Sequence, residues 1–102
     1  MSLDGEWAVT CLGWASIFNP LNDHKIISGG EGFNRAVGIT GAYFYVSTNG
    51  KKYCLDYNHP KNHSFFRDII DVVEPQDDGT FRGILYKGVP ERFEFTLTKV
   101  TE

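Results

Sequence analysis

Residues 42–57 read AYFYVSTNGKKYCLDY and contain the clearest turn signal of the chain, the pair Asn49-Gly50. The runs on both sides of this pair are rich in β-branched and aromatic residues, which is typical of strands. Both central residues of a type I′ turn need a positive φ, and Asn and Gly tolerate it. The stretch therefore predicts a two-residue β-hairpin.

The segments around the hairpin show the period of two that marks strands with one buried face. Residues 93–99, FEFTLTK, place Phe93, Phe95 and Leu97 on one face and polar residues on the other. Further strands are predicted at residues 5–12, 24–28, 33–39, 65–74 and 80–86, and residues 15–18 fit either a strand or a short turn of helix.

Short strands at this regular spacing predict an all-β fold, a small antiparallel up-and-down β-barrel of about seven or eight strands. Closing the sheet removes the exposed edges that invite aggregation. A two-sheet β-sandwich is the alternative. Because the chain has 102 residues, we expect a single domain over residues 1–102. A barrel of about eight strands encloses just enough space for side chains or one small ligand.

Two short motifs of the sequence resemble those of the lipocalins. Gly5-Glu6-Trp7 opens the first strand and is similar to their Gly-x-Trp signature. Leu55-Asp56-Tyr57 is similar to their Thr-Asp-Tyr element, with the first residue changed. Lipocalins also carry an arginine near the last strand that covers the Trp ring. Arg92 is nearest to that position, with Arg82 as a substitute.

A further resemblance is to small lipocalin-like bacterial proteins of unassigned function. It rests on residues 55–57, 67–70 and 81–83, which read LDY, RDII and FRG. The resemblance implies a calycin-type barrel with a ligand cavity and implies no particular reaction.

The charge and composition of the chain restrict its partners. The net charge is −3 and the ten Lys and Arg residues are dispersed, so we expect no nucleic-acid partner. No segment approaches the roughly 20 apolar residues that span a bilayer, so we expect no membrane partner. The N-terminus lacks the features of a signal peptide. Cys11 and Cys54 are therefore predicted to be free thiols in a cytoplasmic protein.

The histidine pair His59 and His63 has a spacing that zinc sites permit. Pro60 prevents the two rings from sharing one helix turn, and the surrounding residues 58–62 are loop formers. We therefore interpret this segment as the end of a strand followed by a solvated loop. The sequence predicts no metal site and no cofactor.

The aspartates Asp68 and Asp56 are the candidate acid–base residues. If Ile70 and Val72 face the core, the strand period places Asp68 on the same inward face. An inward carboxylate is costly unless it is hydrogen-bonded or paired. A structural polar group, a ligand contact and a catalytic base are therefore open roles for Asp68.

Aromatic residues make up 15% of the chain, enough to fill a small core or to line an apolar pocket. Our first hypothesis is a small-molecule binding protein that holds an apolar or aromatic ligand in the barrel. The alternatives are an interaction protein with a solid core and a cofactor-free lyase or isomerase that uses an interior carboxylate. The predicted ligand-binding residues are Trp7, Phe44, Tyr45, Tyr53, Tyr57, Asp68, Phe81, Phe93 and Phe95.

Overall fold

The computed structural model describes residues 3–86 and 93–100. Within these residues the chain forms eight strands that close into one antiparallel barrel. The strands are Gly5–Cys11 (β1), His24–Ser28 (β2), Glu31–Ala36 (β3), Ile39–Asn49 (β4), Lys52–Asp56 (β5), Ile70–Pro75 (β6), Phe81–Tyr86 (β7) and Phe93–Lys99 (β8). Two 3₁₀ helices, Gly13–Leu21 and Ser64–Asp68, complete the described elements.

Each strand pairs with its sequence neighbour, and β1 pairs with β8 from Trp7↔Lys99 to Cys11↔Phe95 to close the barrel. The predicted up-and-down barrel is confirmed, and the β-sandwich alternative is wrong. Up-and-down topology places the 3₁₀ helices and the β3–β4 turn at one end, called here the open end. The β2–β3, β4–β5 and β6–β7 turns lie at the opposite, closed end. In the described part of the chain, no helix has the length and apolar character needed to cross a membrane.

The predicted hairpin exists, but its turn is shifted by one residue. Asn49 pairs with Lys52, so the two central residues are Gly50 and Lys51. Gly50 has a φ of 65°, whereas Asn49 is not in the left-handed region. This pattern matches a type II′ turn, in which Gly takes the first central position, and not the predicted type I′ turn.

The predicted strand over residues 65–74 begins later than expected. Residues Ser64–Asp68 form a 3₁₀ helix closed by a hydrogen bond from the Ile69 amide to the Phe66 carbonyl. Strand alternation does not continue through a helical turn. Counting in steps of two across residues 65–74 therefore assigned the wrong face of β6 to the interior. In β6 the buried residues are Asp71 and Val73, whereas Ile70 is 40% exposed. The condition that Ile70 faces the core, on which the inward position of Asp68 depended, is therefore not met.

Tight packing fills the closed half of the barrel. Phe44, Leu55, Val73 and Leu97 have no measurable exposure, and Phe81 is 1% exposed. Two strand glycines make room for interior rings. A Cβ on Gly32 would lie 2.5 Å from the Phe44 ring, and one on Gly83 would collide with Phe95.

Trp7 belongs to this closed half, where its ring lies edge-on to Phe81 at a centroid distance of 5.1 Å. The Trp7 indole donates a 2.8 Å hydrogen bond to the Leu3 carbonyl. The Lys99 ammonium lies 4.9 Å from the centre of the indole ring. A lysine therefore covers the ring where the resemblance implied an arginine.

The two arginines considered for that role are placed differently. Arg82 lies on the outer surface and donates a 2.8 Å hydrogen bond to Glu94, so its expected position over Trp7 is wrong. Arg92 lies outside the described residues.

Candidate functional site

The open half of the barrel contains a cavity of about 420 Å³. This volume falls within the roughly 300–1,000 Å³ of small-molecule sites. Phe18, Leu21 and Phe66 of the two 3₁₀ helices stand at its mouth and are 37–45% exposed. The apolar and weakly polar lining residues are Val9, Cys11, Phe18, Leu21, Ala36, Ala42, Phe66, Ile69, Leu85, Phe93 and Phe95.

A connected group of polar side chains borders the cavity on its inner side. This polar floor consists of Lys25, Asn34, Tyr57 and Asp71. Lys25 Nζ donates to Asn34 Oδ1 at 2.8 Å and to Tyr57 Oη at 2.6 Å. Tyr57 Oη donates to Asp71 Oδ2 at 2.9 Å, and Lys25 Nζ lies 3.4 Å from the same oxygen.

Strand alternation explains how these polar groups reach the interior. Lys25 precedes the buried Ile27 by two positions in β2, and Asp71 precedes the buried Val73 by two in β6. Side chains two apart point to the same face of a strand. Asn34 on β3 is paired directly opposite Lys25, which brings its amide within hydrogen-bond reach.

The electrostatics of the polar floor favour a charged lysine and a neutral phenol. Burial disfavours the Lys25 ammonium, but Tyr57, Asp71 and Asp23 together raise its pKa above the ordinary value. Burial and the neighbouring Asp71 raise the pKa of Tyr57, so its hydroxyl stays protonated. Burial also raises the pKa of Asp71, and the Lys25 charge opposes that effect.

Two carboxylate oxygens beside the cavity lack a partner. Asp71 Oδ1 and Asp23 Oδ1 are both buried and accept no hydrogen bond from the described residues. Burial raises the pKa of Asp23, and Lys25 and His24 act against that shift. A buried acceptor left unsatisfied costs about 1–3 kcal/mol. Two residues that line the cavity therefore carry spare, buried acceptors, whereas Lys25 already donates within the floor.

The sequence-predicted ligand residues fall into three groups. Tyr57, Phe93 and Phe95 line the cavity. Four others face the barrel interior but belong to the packed closed half: Trp7, Phe44, Tyr53 and Phe81.

The third group lies outside the barrel wall. Asp68 is exposed in the second 3₁₀ helix, and Tyr45 is 41% exposed on β4. Asp56 lies on the face of β5 opposite to Leu55, where its carboxylate accepts a hydrogen bond from the Asn58 amide. The interior positions expected for Tyr45 and Asp68 are therefore wrong. The carboxylate on the interior face of β6 is Asp71.

Sequence reasoning missed Lys25, Asn34, Asp23 and Asp71. A signal was present for Lys25 and Asp71, since each stands at strand spacing from an apolar residue of the core face. Asp23 and Asn34 had no comparable signal, because residues 13–41 gave no reliable strand pairing.

The histidines serve local structure. His59 is buried, its ring stacks on Tyr43 and Tyr45, and its Nε2 lies 3.2 Å from Glu31 Oε1. His63 caps the second 3₁₀ helix by accepting a hydrogen bond from the Phe65 amide. Across residues 3–86 and 93–100, no three His, Cys, Asp or Glu side chains are grouped to hold a metal ion.

The segment around these histidines differs from the solvated loop that was predicted. His59 and Asn62 are only 5% and 6% exposed. The Asn62 side chain accepts a hydrogen bond from the Tyr43 amide and donates to the Tyr43 and Tyr57 carbonyls. These bonds tie the loop to the barrel beside the cavity.

The fold and the site together define a closed up-and-down β-barrel with a ligand-sized cavity at one end. Comparison with protein-family models, curated proteins and solved structures gives no match for this chain.

Proposed function

We propose that the protein binds a small, largely apolar molecule in the cavity at the open end of the barrel. The observation that carries the proposal is a mainly apolar cavity of about 420 Å³ that ends on a buried polar floor. Apolar walls with a few placed polar groups are the usual composition of small-molecule sites. Membership of a lipocalin-like family, which the motifs at Trp7 and Tyr57 suggest, is part of the same proposal.

The contrast between the two halves of the barrel supports this function. The closed half packs aromatic and aliphatic side chains without measurable exposure, so a barrel of this size has the means to fill itself. The apolar cavity of the open half departs from that close packing, and an apolar occupant would account for the difference.

The two alternative functions draw less support from the geometry. The cavity argues against a core that is solid throughout. The proposed lyase or isomerase requires an interior carboxylate, and neither Asp68 nor Asp56 faces the interior. Asp71 does face the interior, but Tyr57 and Lys25 hold one of its oxygens.

Fluorescence titration with N-phenyl-1-naphthylamine, an uncharged apolar probe, tests the proposal. We expect saturable probe fluorescence with the wild-type protein. Ala36→Phe places a ring at a residue that lines the cavity and should weaken probe binding about tenfold or more. Ser47→Phe, on the exposed outer face of β4, is the matched control and should bind like the wild type. Absence of saturable binding, or equal loss in both folded variants, would contradict the proposal.

A further inference from the structure

We infer that the ligand carries a protonated amine, which the carboxylates of Asp23 and Asp71 recognise at the inner side of the cavity. This inference rests on the proposed binding function and names the chemical class of its ligand. An interior lysine such as Lys25 would by itself suggest an anionic ligand. The ligand inferred here is the opposite, a cationic one.

The hydrogen-bond inventory of the cavity wall argues for a ligand that donates. Lys25 Nζ donates to Asn34 and Tyr57 and lies 3.4 Å from Asp71, and the Tyr57 hydroxyl donates to Asp71. The Asn34 amide donates to the Ala42 carbonyl at 2.9 Å. These polar donors already have partners, whereas Asp23 Oδ1 and Asp71 Oδ1 have none among the described residues. An ammonium group, with several N–H donors and no acceptor, complements that surplus.

The charges of the cavity wall point in the same direction. Two carboxylates, Asp23 and Asp71, face one ammonium, Lys25, among the described residues that line the cavity. Cys11 adds no charge, because burial and the nearby Asp23 raise the pKa of its thiol. With both carboxylates ionised, the wall carries one unbalanced negative charge. A cationic ligand neutralises it, whereas an anionic ligand would bring a second one.

The remaining wall suits the rest of such a molecule. Phe18, Phe66, Phe93 and Phe95 line the cavity and supply aromatic, apolar area. Aromatic faces attract cations as well as alkyl chains. An alkyl or aralkyl amine therefore matches both parts of the cavity.

Three ligands with the same eight-carbon chain separate the head groups: octylamine, octanol and octanoate. Each competes with N-phenyl-1-naphthylamine at neutral pH, where the amine is protonated and the acid ionised. We expect octylamine to bind at least about tenfold more tightly than octanol, a difference of about 1.4 kcal/mol, and octanoate to bind most weakly. Equal binding of the three, or tighter binding of octanoate, would overturn the inference and leave the proposed function intact.

Asp23→Asn tests whether Asp23 recognises the amine, because the substitution removes the negative charge and keeps the shape of the side chain. We expect this variant to lose the preference for octylamine over octanol, measured as the ratio of the two affinities in the same protein. Asp68→Asn is the matched control, since Asp68 is exposed outside the barrel, and it should keep the preference. A folded Asp23→Asn protein that keeps the full preference would overturn the role of Asp23. If wild-type protein binds neither the probe nor any octyl compound, the proposed function itself fails.

Discussion

Lys25 Nζ lies 3.4 Å from Asp71 Oδ2 inside the barrel, and both side chains are at least 95% removed from solvent. Such a pair is costly to desolvate, and its attraction repays that cost only when further hydrogen bonds complete it. Here Asn34 and Tyr57 supply those bonds. Their cooperation holds a nearly buried ion pair in the wall of the cavity.

Removing one partner of this pair should be far more harmful than removing both charges. Lys25→Met leaves Asp71 buried without its cation, and we expect the free energy of unfolding to fall by about 3–5 kcal/mol. In the double variant Lys25→Met/Asp71→Asn, the carboxylate of the pair is neutral as well, so most of the loss should be recovered. Urea denaturation of the wild type, the two single variants Lys25→Met and Asp71→Asn, and the double variant measures both effects. Losses that simply add would show that the two charges do not depend on each other.

The close approach of β3 to the Phe44 ring makes a second prediction. A Cβ on Gly32 would lie 2.5 Å from that ring, whose side chain has no space to move in a fully buried position. Gly32→Ala should therefore lower stability by about 1–3 kcal/mol through overpacking. Gly41→Ala is the control, because no heavy atom lies within 4 Å of its added Cβ. Thermal unfolding compares the two, and equal melting temperatures would refute the packing argument.

The pH dependence of stability should report on Asp23. Burial raises its folded-state pKa above the ordinary value of 3.8, and Lys25, His24 and Asp71 are the charged groups that also act on it. Between pH 3.8 and the raised pKa, the folded chain thus keeps a proton on Asp23 that the unfolded chain has already released. Its contribution to stability therefore falls as the pH rises from 3.8 through the raised pKa, and stays low above that window.

Asp23→Asn removes this penalty. The variant should be more stable than the wild type at neutral pH, with a gain that shrinks as the pH falls toward 3.8. Asp71, whose pKa burial also raises, is retained, so some pH dependence remains in the variant. Urea unfolding across this pH range, with Asp68→Asn as the surface control, measures the difference. A gain that grows toward acid pH would give the wrong sign and contradict the assignment.

The barrel follows well from the sequence where its strands alternate between apolar and polar residues. FEFTLTK at residues 93–99 became β8 with Phe95 and Leu97 buried, as the period of two requires. The face of residues 65–74 was assigned wrongly for a local reason. A 3₁₀ turn precedes Ile70, and β6 carries apolar residues on both faces, so alternation alone left two answers.

The polar floor was less accessible to prediction, because it depends on which strands meet across the barrel. Lys25 and Asp71 lie on β2 and β6, and they meet only inside the closed cylinder. Tyr57 was predicted as a ligand-binding residue, and the structure buries it where it lines the cavity. Its role as the bridge between the lysine and the aspartate required the three-dimensional structure.

The central claim, that the open half of the barrel holds a ligand, is tested most directly by methyl NMR during titration with octylamine. We expect shift changes and ligand contacts at methyl groups that line the cavity, those of Val9, Leu21, Ile69 and Leu85. The methyl groups of Leu55, Val73 and Leu97 in the packed closed half serve as internal controls and should change little. Saturable changes confined to the first group would support the account. Unchanged cavity methyl groups at saturating ligand would contradict it.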